Sequence, residues 1–215
     1  MGKTLRVLLW SVAVIGVIVG LARAVAIRWW RIPMTEEYAW LAASVTPNLR
    51  GGDLVLLWRL TEPSYGDLVL CPDPEQPERV VVGRIVGESE DKLKIEGSRM
   101  TVNNKAIVTE SNCFEGSFVV NDPQTGIELK QHCEMEVVGS RTHPRGNADG
   151  KVAPLPVEAT VPEDQVYLVS DNRQFPYDSR DYGPVERASC KETVVFRIVG
   201  LEGFGDHETR FMFIR

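Results

Sequence analysis

From Val7 to Ile27 the chain runs 21 residues with a single charge, Arg23. A helix needs roughly 20 apolar residues to cross a hydrocarbon core, so this stretch is long enough to span a bilayer. Arg23 lies near its far end, where a long basic side chain can reach the interface. Trp29 and Trp30 follow at the place of an aromatic belt. A cleaved leader is the competing reading, because "ARA" (22–24) and "AVA" (24–26) are small-residue cleavage patterns. The apolar run is longer than the roughly 7–15 residues of a leader, which favours a retained anchor over residues 1–31, with the lipid bilayer as partner. Lys3 and Arg6 precede the run while Arg23, Arg28 and Arg31 follow it, so flanking charge does not orient it.

Residues 32–215 are enough for one globular domain. Strand-like segments follow one another: "DLVLLWRL" (53–60), "DLVLC" (67–71), "RVVVGRIVG" (79–87), "KLKIEG" (92–97), "MTVNNKAIV" (100–108), "GSFVVND", "IELKQHCEMEVV", "QVYLVSD" and "ETVVFRIVG". Turn residues separate them, including Asn103-Asn104 and a Pro-Gln-Thr-Gly loop. The expected fold is mainly β, an antiparallel sheet domain with little helix, tethered by one N-terminal transmembrane helix. "MTEEYAWLAAS" reads as one or two helical turns on the membrane surface, and the polar, Gly- and Pro-rich residues 140–160 read as a loop.

Every acidic residue lies after Pro33, and all five charges before it are basic. The body is therefore more acidic than the chain's net −6, and nucleic acid is not an expected partner. The four cysteines, Cys71, Cys113, Cys133 and Cys190, lack CxxC spacing and do not read as a zinc site; no metal or cofactor is implied. An oxidising compartment would permit disulfides, with Cys113–Cys133 favoured because they bracket one hairpin-like segment.

Three stretches carry chemistry: "ASVTPNLRGGDLVLL" (43–57), "VVVGRIVGESED" and "VPEDQVYLVSDNRQFPYDSRDYGPV" (161–185). Taken singly, a Ser before a turn is a cap, and a polar loop is a self-satisfied network. In this order they resemble the bacterial type I signal peptidases, membrane-anchored serine endopeptidases that cut signal peptides from exported proteins. That family reads Ser-Met-x-Pro-Thr-Leu and Gly-Asp, a second Gly-Asp strand, Lys-Arg-x-x-Gly, a Val-Asn-Gly turn, then Gly-Asp-Asn-x…Asp-Ser-Arg-x-x-Gly. Here "SVTPNL", "GGD", "GDLVL", "GRIVGESED", "TVNNKAI" and "SDNRQFPYDSRDYGPV" stand in those places. Residues 111–160 match no part of the pattern.

The resemblance implies a single-pass protein of the inner (plasma) membrane with an extracytoplasmic domain over 32–215, acting on signal peptides of exported preproteins. It implies Ser44 as nucleophile, Val45 and Val82 against substrate, and Asp178, Ser179, Arg180, Asp171 and Arg84 as the groups that brace the site. A Ser hydroxyl attacks only when a base takes its proton. In the family that base is a buried Lys, whose pKa burial lowers.

Here Gly83 stands at the Lys position. By strand alternation Val81, Gly83 and Ile85 share one face, expected to be the apolar face toward Ser44, where Gly leaves an empty spot. Lys92 and Lys94 lie beyond the "ESED" turn and do not replace the Lys. Pro176 and Ala42 stand where the family carries supporting serines, Val45 replaces the Met and Ser170 the first Gly of the last block. His132, His143 and His207 read as ordinary surface histidines. Two readings follow: a signal peptidase with an unidentified base, or a silent homologue that binds extended peptides or supports an active paralogue.

Overall fold

The computed structural model describes residues 2–147 and 155–214. Helix α1 (Lys3–Val25) buries none of its residues against the rest of the chain and is long and apolar enough to cross a membrane. One residue later the chain enters β1 (Ile27–Arg31), then a short 3-10 turn and α2 (Ala39–Ser44). Strands β2 (Leu54–Trp58), β3 (Leu68–Pro72) and β4 (Val80–Gly87) follow. Next come β5 (Lys92–Glu96), β6 (Arg99–Val102) and β7 (Lys105–Ala106), and then the long pair β8 (Val108–Asn121) and β9 (Glu128–Val138). Strands β10 (Arg141–Asn147), β11 (Val157–Thr160) and β12 (Gln165–Val169) lead to α3 (Ser179–Tyr182). The chain closes with β13 (Val185–Glu186), β14 (Glu192–Val199) and β15 (Met212–Phe213).

The main sheet runs β1-β2-β14-β3-β4-β12-β13, with β15 on β14, and its pairings are antiparallel. Two satellite sheets flank it, β11-β5-β6-β7 and β10-β9-β8. The expected mainly β, antiparallel architecture with one N-terminal apolar helix is what the chain adopts.

Alternation along β4 divides the core. Val82 packs with Leu41, Val45 and Leu49 around α2, whereas Val81 and Ile85 pack with Leu168, Val69 and Cys71 on the opposite face. The Asn103-Asn104 turn has both residues at positive φ (51° and 64°), as a two-residue hairpin turn requires.

Three segments differ from the sequence-based expectation. Ile27–Arg31, expected as the end of the anchor, is a strand paired to β2. The "MTEEYAWLAAS" helix does not lie free on a membrane surface: α2 buries Leu41, Ala43 and Ser44 in the domain. Residues 141–147 and 157–160, expected as loop, are β10 and β11. Residues 148–154, in the same expected loop, lie outside the described residues. "RTHPRGN" carries no apolar alternation, because its inward residues His143 and Arg145 are matched by charges instead of by apolar packing. The favoured Cys113–Cys133 pair forms, clipping β8 to β9, and Cys71–Cys190 ties β3 to the segment before β14.

Candidate functional site

Ser44 is the last residue of α2, one turn after Trp40 and Leu41 and therefore on their face of the helix. It has no exposed surface. Its Oγ donates to the Leu41 carbonyl oxygen at 2.9 Å, and Thr46 Oγ1 donates to Ala42 O at 2.9 Å. The Leu41 carbonyl also accepts from Val45 N at 3.2 Å, so the Ser44 hydroxyl shares it with the backbone at the end of the helix. The Ser44 carbonyl accepts from Asn172 N at 2.9 Å, which ties the helix end to the loop after β12. Among the described residues no basic side chain is bonded to the Ser44 hydroxyl, and no Lys is buried. Val45 and Val82, expected to meet substrate, are each 1% exposed and pack in one apolar cluster.

Gly83 occupies a different environment from the one expected. A Cβ there would lie 2.9 Å from Leu168 Cβ, on the face shared with Val81 and Ile85. The spot is filled, not empty, and it faces away from the cluster that holds α2. The strand reading assigned the alternation correctly but the wrong face to Ser44, since alternation fixes which residues are neighbours and not which element covers them. Lys92 and Lys94 are exposed on β5, and Lys94 is paired with Glu96 at 2.9 Å.

The charged residues expected to brace the site do come together. Arg84 holds Asp171 with two bonds, Nε to Oδ1 and Nη2 to Oδ2, each 3.0 Å, and donates to Gly66 O. Asn48 Nδ2, one turn past Ser44, donates to Asp171 Oδ2 at 3.1 Å. Asp178 caps α3: its side chain accepts from Arg180 N and Ser170 N, and Arg180 grips it with Nε and Nη2. Ser179 Oγ accepts from Leu168 N at 2.9 Å, which pins α3 to β12. Burial alone would raise both carboxyls, but Arg84 beside Asp171 and Arg180 beside Asp178 hold each below the usual carboxylate range.

Sequence reasoning missed the other half of this network, which comes from residues 111–147. His143 is no surface histidine: it is fully buried, with Nε2 3.4 Å from both Glu136 Oε2 and Asp171 Oδ1. Glu136 also takes Arg173 Nη2 and, at 3.1 Å, Arg145 Nη1. Burial would raise the Glu136 carboxyl, yet Arg173, His143 and Arg145 outweigh it and hold the group at about 2. Burial, aided by the nearby Arg84 guanidinium, keeps His143 below the ordinary histidine value against the pull of Asp171 and Glu136. The available signal was indirect and partial: a Glu inside the apolar strand "IELKQHCEMEVV" and an Arg in "DNR", each needing a partner if buried.

The β8–β9 hairpin also covers α2. Phe118, Val120 and Cys133 are buried with Ala43 and Phe175, with Trp40 packed at the margin. Beside this contact lies a cleft of about 750 Å³ between Ala39, Ala42 and Ala43 on one side and the hairpin tip on the other, with Glu36 and Arg50 at its walls.

A family model described as signal peptidase, peptidase S26, matches residues 8–199. Among solved structures, the chain is similar to a signal peptidase I from Enterococcus faecalis V583, with a TM-score of 0.40 and 16% identity, over 62% of this chain and 97% of that one. No curated protein matches the chain at a significant level.

Proposed function

Since the chain belongs to the signal peptidase family S26, we propose that it is a membrane-anchored, signal-peptidase-like protein that holds the signal peptides of exported preproteins in extended form and does not itself cut them. The observation that carries this reading is the state of Ser44: its hydroxyl is spent on the Leu41 carbonyl, and Leu168 backs the position where the family places its Lys. Without a base the hydroxyl stays a poor nucleophile. The cleft along Ala39, Ala42 and Ala43 is the place for the peptide, since its small side chains let an extended backbone approach closely. Both disulfides are formed and no free cysteine is left. That fits a domain outside the cytoplasm, carried by α1 as a single pass in the plasma membrane.

A second reading keeps the family's chemistry, with Ser44 as nucleophile activated by a group from elsewhere in the chain or by a partner. What favours it is the retained Ser44, held 2.9 Å from Asn172 N beside the intact Arg84–Asp171 and Asp178–Arg180 pairs. The two are separated with full-length, detergent-solubilised protein and a synthetic precursor peptide, a signal peptide with Ala-x-Ala at its end followed by several residues of the exported part, monitored by fluorescence anisotropy and by mass spectrometry. The proposal expects binding that Ser44→Ala leaves unchanged and no cleavage by either form. Cleavage that Ser44→Ala abolishes would establish the second reading instead.

A further inference from the structure

The β8–β9 hairpin has two parts. From Val108 to Asn112 β8 pairs with Val137 to Glu134, and from Ser117 to Asn121 it pairs with His132 to Glu128; the register breaks between them. In the break, Cys113 is bonded to Cys133 and Gly116 sits at φ 64°, a left-handed backbone that accommodates a sharp change of direction. The inner part is held from several sides: β10 pairs with β9 from Val138 to His132, Glu136 is gripped by Arg173, and Arg141 reaches Asp67. Among the described residues, the part beyond His132, residues 117–131, carries none of those pairings. It rests on the domain through Phe118 and Val120 against Ala43 and Phe175, with Phe118 and Gln131 also lying against Gly146.

That apolar hold has a particular form. Phe118 and Val120 are alternate residues of an extended strand, turned onto α2, while Val119 between them faces solvent, 53% exposed. The hairpin tip beyond them, residues 122–126, walls the cleft on the side opposite Ala39 and Ala42. Ser44 lies on the α2 face between Trp40, at the margin of this contact, and Leu41 in the main core.

We infer that the outer hairpin, residues 117–131, is a flap that lies on α2 as a strand-shaped stand-in for an extended peptide, and that its swing about residues 113–116 uncovers α2 and Ser44. The occupant that replaces it is an extended peptide with apolar residues at alternate positions. That identity rests on the peptide-holding reading above; the flap itself does not.

The test places a thiol at the covered position in the full-length protein with both disulfides intact. Ser44→Cys should react slowly with a maleimide. Adding Phe118→Ala and Val120→Ala should speed the reaction roughly tenfold or more, because local opening governs access to a covered site. A control thiol, Val166→Cys, sits fully buried on the far face of the sheet and should not be accelerated. An unchanged rate at position 44, or equal acceleration at 166, overturns the flap. Hydrogen exchange on the unsubstituted chain gives a second check. The amides of Val45 and Leu49, bonded to Leu41 O and Val45 O, should exchange together with residues 117–131 and ahead of β3 and β4. Exchange of those two amides only with β3 and β4 also overturns it. Finally, an Ala-x-Ala signal peptide should slow labelling of the flap-weakened variant. Absence of slowing overturns the peptide as occupant and leaves the flap to the two measurements made without peptide.

Discussion

The Cβ position of Gly83 lies 2.9 Å from Leu168 Cβ, on the face of β4 that points away from α2. A side chain at 83 therefore overpacks a filled core site and does not reach toward Ser44. Gly83→Lys is expected to lower stability by about 1–3 kcal/mol in urea unfolding and to create no peptidase activity. Leu168→Ala added to it should recover part of the packing strain. Cleavage by Gly83→Lys that disappears with Ser44→Ala would show that the strand can present residue 83 to the site after all.

The Arg84–Asp171 pair is fully buried on both sides. Removing one partner strands the other charge without water, so Asp171→Ala should cost about 3–5 kcal/mol. Lys94→Ala, which breaks the exposed Lys94–Glu96 pair, should leave the urea midpoint where it was. Equal midpoints for the two variants would mean that the buried pair is not formed in solution.

Stability should fall on acidification in two stages. His143 has a folded pKa below its ordinary 6.5, so the folded chain binds its proton less readily than the unfolded chain does. Its contribution is present above pH 6.5 and is lost as pH falls from there toward the depressed value. Glu136, facing Arg173, His143 and Arg145, sits at about 2 against an ordinary 4.5, so its contribution is lost between those values. His143→Gln should flatten the upper stage of a urea-midpoint profile against pH, and the lower stage should persist but shrink, because Arg173 and Arg145 still hold Glu136 down while the His143 share is gone. An upper stage that persists in that variant would assign it to other groups.

The two disulfides close loops of very different size, 119 residues for Cys71–Cys190 and 20 for Cys113–Cys133. By loop-closure entropy, Cys71→Ala with Cys190→Ala should cost about 5 kcal/mol, and Cys113→Ala with Cys133→Ala about 3 kcal/mol. Paired urea titrations check the order. A reversed order would show that the hairpin clip contributes more than chain entropy.

Strand β2 was legible because it buries side chains at period two, and β3, β4, β12 and β14 were legible as Val-, Ile- and Leu-rich runs, since most of their residues are buried on both faces. The Asn103-Asn104 turn was legible because it carries its own turn chemistry. The charged residues 171, 178, 180 and 84 were found through the order of motifs, and they do meet in two buried pairs. Strand β10 was not legible. Its inward residues are a His and an Arg, and a polar residue signals burial only once its partner is known.

Local pattern and motif order were enough to determine an apolar N-terminal helix, a mainly β antiparallel body and the family to which the chain belongs. These properties rest on neighbours within a few residues, or on residue types in sequence. Tertiary structure alone decided which face of β4 meets α2, and so that Gly83 is backed by Leu168. It also decided that the β8–β9 hairpin folds over α2, and that His143 and Glu136 join the Arg84–Asp171 pair. The physical reason is common to both. A strand's periodicity sorts side chains onto two faces with equal energy, and only packing against elements distant in the chain makes one face different from the other.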